Sequence, residues 1–333
     1  MRLSSVLFIV ILLLNGLFAV AQSTGAAACI DQAHKVLDEA FTLMQKHYYK
    51  KDSVKWDELV TSAKARISNS GNCEGAQEAL QWCFQQMKEK HSFIMPAVKA
   101  DAYNGNINSS TPPLSQLIGP LRSEMVAPGL AYIEVPRVST ADPAICKAFA
   151  DSLHGIVKSY HQSGATKWII DLRNNTGGNC WPMLAGLGAL LGNGVHGYFV
   201  SFNERIPFSY KDGAVMQGRY ARCTVSDPYT ITGDKSIIVL TGPNTASAGE
   251  IVALAFRGLD NVSFFGQPTA GLTTANATYK LSDGSMLVLT VCKEADRNGK
   301  IYEGRLYPDK YIPAGSDGKD IVKSSAIMFL QVD

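Results

Sequence analysis

Three short stretches constrain this chain most: "GLAYIEVP" (129–136), "KWIIDLR" (167–173) and "KSIIVLTGP" (235–243). Each is an almost unbroken apolar run closed by Gly, Pro or Asn. A strand wetted on one face alternates apolar and polar residues, so runs without alternation read as strands buried on both faces. Helical runs lie between and after them: "AICKAFADSLHGIVKSYHQ", "WPMLAGLGALL" and "AGEIVALAFRGL". Strand–helix alternation of this kind predicts an α/β core. Downstream, "ATYKLSDGSMLVLTV" predicts a hairpin turning at Asp283-Gly284, and "GKDIVKSSAIMFLQ" a terminal helix.

The texture before about residue 118 is different. In "DQAHKVLDEAFTLMQKHYY", Val36, Leu37, Ala40, Phe41 and Met44 recur at helical spacing. "SVKWDELVTSAKARIS" and "EGAQEALQWCFQQMKEK" continue in that style, so residues 28–96 read as helical. A polar stretch, "DAYNGNINSSTPPLSQ", reads as a loop too short to hold an inserted module.

The opening "MRLSSVLFIVILLLNGLFAVAQS" has a basic start, an apolar centre and small residues at Ala19-Val-Ala21. That is the pattern of an export signal over residues 1–21, with a mature chain from about Gln22 and a periplasmic or extracellular destination. The run is short for a bilayer span, and no other segment is long and apolar enough for one. "GAAAC", ending at Cys29, resembles a lipoprotein box, but polar residues separate it from the apolar centre. Seven cysteines make an odd count for an exported chain, without a C-x-x-C pair, and a local Cys73–Cys83 bridge is one available pairing. With 31 basic and 29 acidic residues and no basic run, nucleic acid is not an expected partner.

Two turns have the chemistry of a reactive site. In "VLTGPNTASAGEIVALAFRGL" (239–259), Ser247 follows a strand and opens a helix, where backbone amides face developing negative charge. The Ala248 amide is a natural oxyanion donor there, although Ser at such a place is also an ordinary N-cap. In "IIDLRNNTGGNCWP" (169–182), Gly177 or Gly178 in a tight bend supplies a second donor, while Asp171 and Arg173 read as a structural pair. Among six histidines, His34, His47, His154 and His161 read as solvated helix positions and His196 as a loop residue. His91, in "MKEKHSFIMP", ends a helix and leads into an apolar turn, which suits a base facing a cleft. Glu303 in "IYEGRLYPDKYIP" is a carboxylate available to orient it.

Taken together, "DLRNNTGGN", "TGPNTASAGEI", "FFGQPTAGLTTAN" and "YEGRLYPDKYIP" resemble, in order and interval, the C-terminal-processing (tail-specific) serine peptidases and their tricorn-core relatives. "KHSF" resembles the histidine motif of the Ser-His branch. On "GGNCWPMLAGLGALL" and "GLTTANATYKLSDG", the nearest likeness is to the nisin-resistance branch. The resemblance implies an α/β fold with a ClpP/crotonase-like spiral core over 115–333 and an N-terminal helical subdomain over 22–114 that supplies His91. It implies Ser247 as nucleophile, His91 as base, Gly177 or Gly178 with Ala248 as oxyanion hole, and Glu303 on the histidine side. Two departures matter. Leu272 stands where the Ser-Lys branch carries its lysine, which favours Ser-His, and the short link after His91 leaves no room for the PDZ insertion of many members.

The resulting expectation is an exported serine endopeptidase acting on peptides or unfolded protein tails, with no metal or organic cofactor. The alternative is a catalytically inactive binder of peptides or apolar ligands on the same fold, as in its retinoid-binding relatives. An esterase would use the same parts.

Overall fold

In a computed structural model, residues 28–70, 75–106, 113–315 and 318–332 are described. The expected export signal lies outside them. By its contacts the chain divides into two compact units, Met1–Ala97 with Ala277–Leu289, and Val98–Asn276 with Thr290–Asp333. The change of texture in the sequence falls later, at about residue 118.

The first unit is built on helices over 28–47, Trp56–Ser70 and Gly75–Gln86. The apolar stripe of the first helix faces inward, with Val36, Leu37, Ala40, Phe41 and Met44 all buried. Phe41 meets the edge of Trp56 with ring centroids 6.3 Å apart. The third helix leads through a turn into a short strand, Phe93–Met95, which pairs antiparallel with 286–288. The hairpin turns at Asp283-Gly284 as expected, with the Leu281 amide donating to Ser285 O (2.9 Å) and the Asp283 carboxylate accepting from Ser285 N (2.9 Å). Its tip is held to the first helix, because the Ser282 amide donates to the Glu39 carboxylate at 2.8 Å.

The second unit contains a six-stranded sheet, of which Leu130–Glu134, Lys167–Asp171 and Ser236–Thr241 are the runs read from the sequence. Its strand order is Lys310–Tyr311, Val262–Gly266, Ser236–Thr241, Lys167–Asp171, Leu130–Glu134, Arg122–Ala127, parallel except for the last pair. Alternate side chains of the central strands enter two separate cores. Ile133, Trp168, Ile170 and Val239 pack toward the helices Pro143–Gln162, Cys180–Gly186 and Ala248–Phe256. Tyr132, Ile169, Ile238 and Leu240 pack toward Val322, Ala326 and Leu330 of the terminal helix Ile321–Val332. Both faces are dry, which is why the strands need no polar alternation.

An antiparallel meander, Gly194–Val200, Arg205–Lys211, Ala214–Gln217 and Tyr220–Thr224, continues from the second half of Met286–Asp296. It has no counterpart among the runs read from sequence, since its strands are short and half-exposed. His196 lies in its first strand rather than a loop, buried, with Nε2 2.8 Å from Gly192 O. His154 is buried too, not on a solvated helix face. Arg173 and Asp171 do pair, at 2.6 Å, and Asp320 and the Tyr132 hydroxyl complete the cluster. Cys29 is disulfide-bonded, whereas Cys83, Cys146, Cys180, Cys223 and Cys292 are free. The local Cys73–Cys83 bridge therefore does not form; Cys83 sits buried on the inner face of its helix.

Two-faced burial has a direct test. Ile169→Ala and Ile170→Ala, pointing to opposite faces, should each cost about 2–5 kcal/mol in urea unfolding. A cost well under 1 kcal/mol at either site would mean that its face is not sealed.

Candidate active site

The candidate site forms where the parallel strands end, the usual place for function in open α/β sheets. The chain leaves Ser236–Thr241 through Gly242-Pro-Asn-Thr-Ala, reaches Ser247, and enters the helix Ala248–Phe256. Thr245 anchors this turn from inside: its hydroxyl donates to Leu172 O (2.8 Å) and accepts from Gly242 N (3.0 Å). The backbone of Ser247 has φ 52° and ψ −118°. An ordinary N-cap residue sits in the β region, so a positive φ at a serine is a strained choice costing about 1–3 kcal/mol.

Glu250 holds that strain in place. It is completely buried, and its carboxylate accepts from the amides of Ser247 (2.9 Å), Leu272 (2.7 Å) and Gly271 (2.9 Å) and from the Thr269 hydroxyl. Burial raises its pKa, and the four donors work against that shift. Four donors converging on two oxygens suit an ionised carboxylate, which only accepts. Glu250 thereby ties the Ser247 turn to the 269–272 loop. The sequence carries a signal for it, since Ser247-Ala-Gly-Glu250 has capping-box spacing. Position 272 enters through its backbone amide.

The glycine turn is fixed by Asn175, also fully buried. Its side-chain NH2 donates to Val135 O and Pro136 O, its Oδ1 accepts from Gly177 N (3.0 Å), and its backbone O accepts from Ala246 N (3.0 Å). Nothing in the sequence distinguishes this Asn from any other in a polar turn. Gly177 and Gly178 both have φ 103°. A Cβ on Gly177 would lie 2.9 Å from Ser247 Cβ, and one on Gly178 would lie 2.1 Å from Val138 O, so neither tolerates a side chain. Gly177 already donates its amide to Asn175, while the amides of Gly178 and Ala248 have no acceptor among the described residues. Gly249 is small for packing, not for substrate: a Cβ there would stand 2.6 Å from Asn175 O.

Ser247, Ala248, Gly177 and Gly178 thus meet at one turn of the second unit. Glu303 belongs to the same unit, just beyond the strand Ile301–Tyr302, and is largely exposed in an ion pair with Lys293. Its neighbour Gly304 donates to the Thr273 hydroxyl (3.0 Å), and Leu306 N to the Thr269 hydroxyl (2.9 Å). The Glu303 segment is therefore bound to the loop that Glu250 organises.

His91 lies in the first unit, in the bend between the helix Gly75–Gln86 and the strand Phe93–Met95, and is buried. Glu89 shapes the bend by accepting from His91 N (2.7 Å) and Ser92 N (3.1 Å), while its second oxygen accepts from the Tyr48 hydroxyl (2.8 Å). Burial lowers the imidazole pKa from 6.5 to about 4, and the Glu89 charge only partly opposes this. At neutral pH the ring is therefore uncharged, and one nitrogen of a neutral imidazole is an acceptor.

The model of peptidase family S41 matches residues 129–312, over half of the chain, and the chain belongs to that family. It is a serine peptidase, acting on peptide or protein substrates. It is 29% identical over 282 residues to the nisin-resistance protein of Lactococcus lactis subsp. lactis, covering 84% of this chain and 81% of that one. To the carboxy-terminal processing protease CtpA of Bacillus subtilis it is 27% identical over 199 residues, covering 59% of this chain and 37% of the relative. Its fold is similar to that of a lipoprotein from Streptococcus agalactiae (TM-score 0.72, 21% identity, 90% of this chain and 96% of the other). It is also similar to the photosystem II D1 C-terminal processing protease (TM-score 0.57, 13% identity, 87% and 96%).

Glu250→Gln would set an NH2 donor against amide donors. We expect it to cost about 1–3 kcal/mol of stability and most of the turnover, measured by urea unfolding and peptide hydrolysis. Wild-type values in both would mean that the carboxylate does not hold the site.

Proposed function

We propose that this chain is an exported endopeptidase that cleaves extended peptides or protein tails by a Ser-His mechanism. Ser247 is the nucleophile. Neutral His91 takes the hydroxyl proton as Oγ attacks the scissile carbonyl, then delivers it to the leaving amine. Water hydrolyses the acyl-enzyme by the same route in reverse. The amides of Gly178 and Ala248 receive the oxyanion, Gly177 leaves room for the substrate carbonyl beside Ser247, and Glu303 supports the histidine side.

One observation carries the proposal: a strained serine backbone at a helix start, next to two amides that have no acceptor among the described residues. A plain cap needs neither. Leu272 supports histidine over lysine as the base, because no amine is available at that position. The bonded state of Cys29 supports an oxidising compartment, and it occupies the thiol that a lipid anchor would need. Among the described residues, no helix is long and apolar enough to cross a membrane. The relation to carboxy-terminal processing proteases supports protein tails as substrates.

Labelling with a fluorescent fluorophosphonate tests the nucleophile: a signal on Ser247 that disappears in Ser247→Ala is expected. Ser247→Ala and His91→Ala should each lower kcat at least about a thousandfold in a protein that stays folded. A folded variant retaining near-wild-type turnover would remove that residue from the mechanism.

The pH profile tests the base separately. His91 acts in its neutral form, so activity is lost as pH falls through its folded pKa. With that value at about 4, kcat/KM should stay level through pH 6.5 and decline only near pH 4. A decline centred on the ordinary histidine value would mean that His91 is solvated or is not the base.

A further inference from the structure

We propose that the helical unit carries a second peptide-binding element, a groove between the helix Gly75–Gln86 and the strand Phe93–Met95, which takes an extended segment of substrate by strand addition. The inference rests on the peptidase reading for the kind of ligand, but its residues lie outside the catalytic constellation.

The groove is open to solvent, has a volume of about 450 Å³ and is lined by Gln77, Glu78, Gln81, Trp82, Gln85 and Ile94. Gln77, Gln81 and Gln85 recur every fourth residue and so form one row along the helix, with Glu78 and Trp82 in the adjacent row. Each glutamine offers a carbonyl acceptor and two N–H donors, the complement of a peptide group, without charge. Trp82 adds an apolar surface, and its ring is steadied by the Arg66 guanidinium 4.2 Å from its centroid.

Opposite the helix, Ile94 lines the groove, and its strand lies at the end of the sheet. Among the described residues Phe93–Met95 pairs on one side only, with 286–288, leaving a row of main-chain groups without a strand partner. Free edges are commonly guarded by charged side chains, yet "FIM" has none, and Phe93 is 40% exposed. An exposed sheet edge beside a groove is the arrangement that strand addition uses: main-chain bonds give affinity and alternate side chains enter the groove. Pro96 limits the added ladder to a few residues.

The occupant is a stretch of the substrate itself. The strand begins two residues after His91, so a peptide paired along it follows the same segment of chain that carries the proposed base. The glutamines, Trp82 and Ile94 suit polar uncharged and small apolar side chains, and the one charged lining residue, Glu78, disfavours acidic ones.

The test uses the full chain. Hydrogen exchange of the Ser247→Ala protein, with and without a saturating long, unstructured neutral peptide, should show slowed exchange at residues 93–95. In an otherwise wild-type chain, replacing Gln81 and Gln85 together by Glu should lower kcat/KM for that peptide, relative to a short chromogenic one, by about tenfold, expressed in KM. Unchanged exchange at 93–95, or an unchanged long-to-short ratio, would overturn the groove and leave the catalytic assignment standing. Turnover surviving in Ser247→Ala would overturn the catalytic assignment, whereas slowed exchange at 93–95 would still establish the groove.

Discussion

The buried carboxylate of Glu250 is the contact on which the candidate site depends. It is placed where water cannot reach it, and three backbone amides and a hydroxyl take the place of its hydration. A charge so enclosed is costly unless every lone pair is met, so the loops that meet it are not free to drift. They arise from the ends of neighbouring parallel strands, Ser236–Thr241 and Val262–Gly266. Glu250 turns two loose ends into one rigid platform, and Thr245 and Asn175 extend that platform to the glycine turn.

Rigidity of this kind explains how a serine persists at φ 52°. Strain survives only where the surroundings over-determine a conformation, and here the amide on one side of Ser247 is held by Glu250 while Ala246 is held by Asn175. The sheet beneath supplies the remainder. Its central strands are packed on both faces, so displacement of the loops would have to break into one of two cores. Two amides left without an acceptor beside a strained serine are thus a product of the scaffold rather than a local accident.

The first unit contributes a different kind of order. Tyr48 and Glu89 fix the bend that carries His91, and the same bend delivers the chain into the strand Phe93–Met95. Burial keeps the imidazole neutral across the physiological range, which suits a base. In the proposed chemistry one short segment, 89–95, therefore holds the proton acceptor and the edge that aligns an extended peptide. The position that bears lysine in the Ser-Lys branch is here a leucine, whose amide donates to Glu250.

The sequence by itself determined three doubly buried strands of an α/β core, the helices that follow them, the amphipathic first helix and the Asp283-Gly284 hairpin. It did not determine the strands Arg122–Ala127, Val262–Gly266 and Lys310–Tyr311 that complete the sheet. The elements it did determine rest on local hydrophobic period and turn chemistry, which short windows of residues carry. It also singled out the serine and glycine turns, because strand–turn–helix junctions with small residues are visible in one dimension. The meander at 194–224 escaped, since half-exposed short strands leave a weak alternation. Only the tertiary structure decided that Gly177 has its amide engaged while Gly178 does not, that Gly249 is small for Asn175, and that His154 and His196 are buried. Each of these depends on a neighbour distant in sequence, and the identity of that neighbour is set by packing rather than by any pattern along the chain.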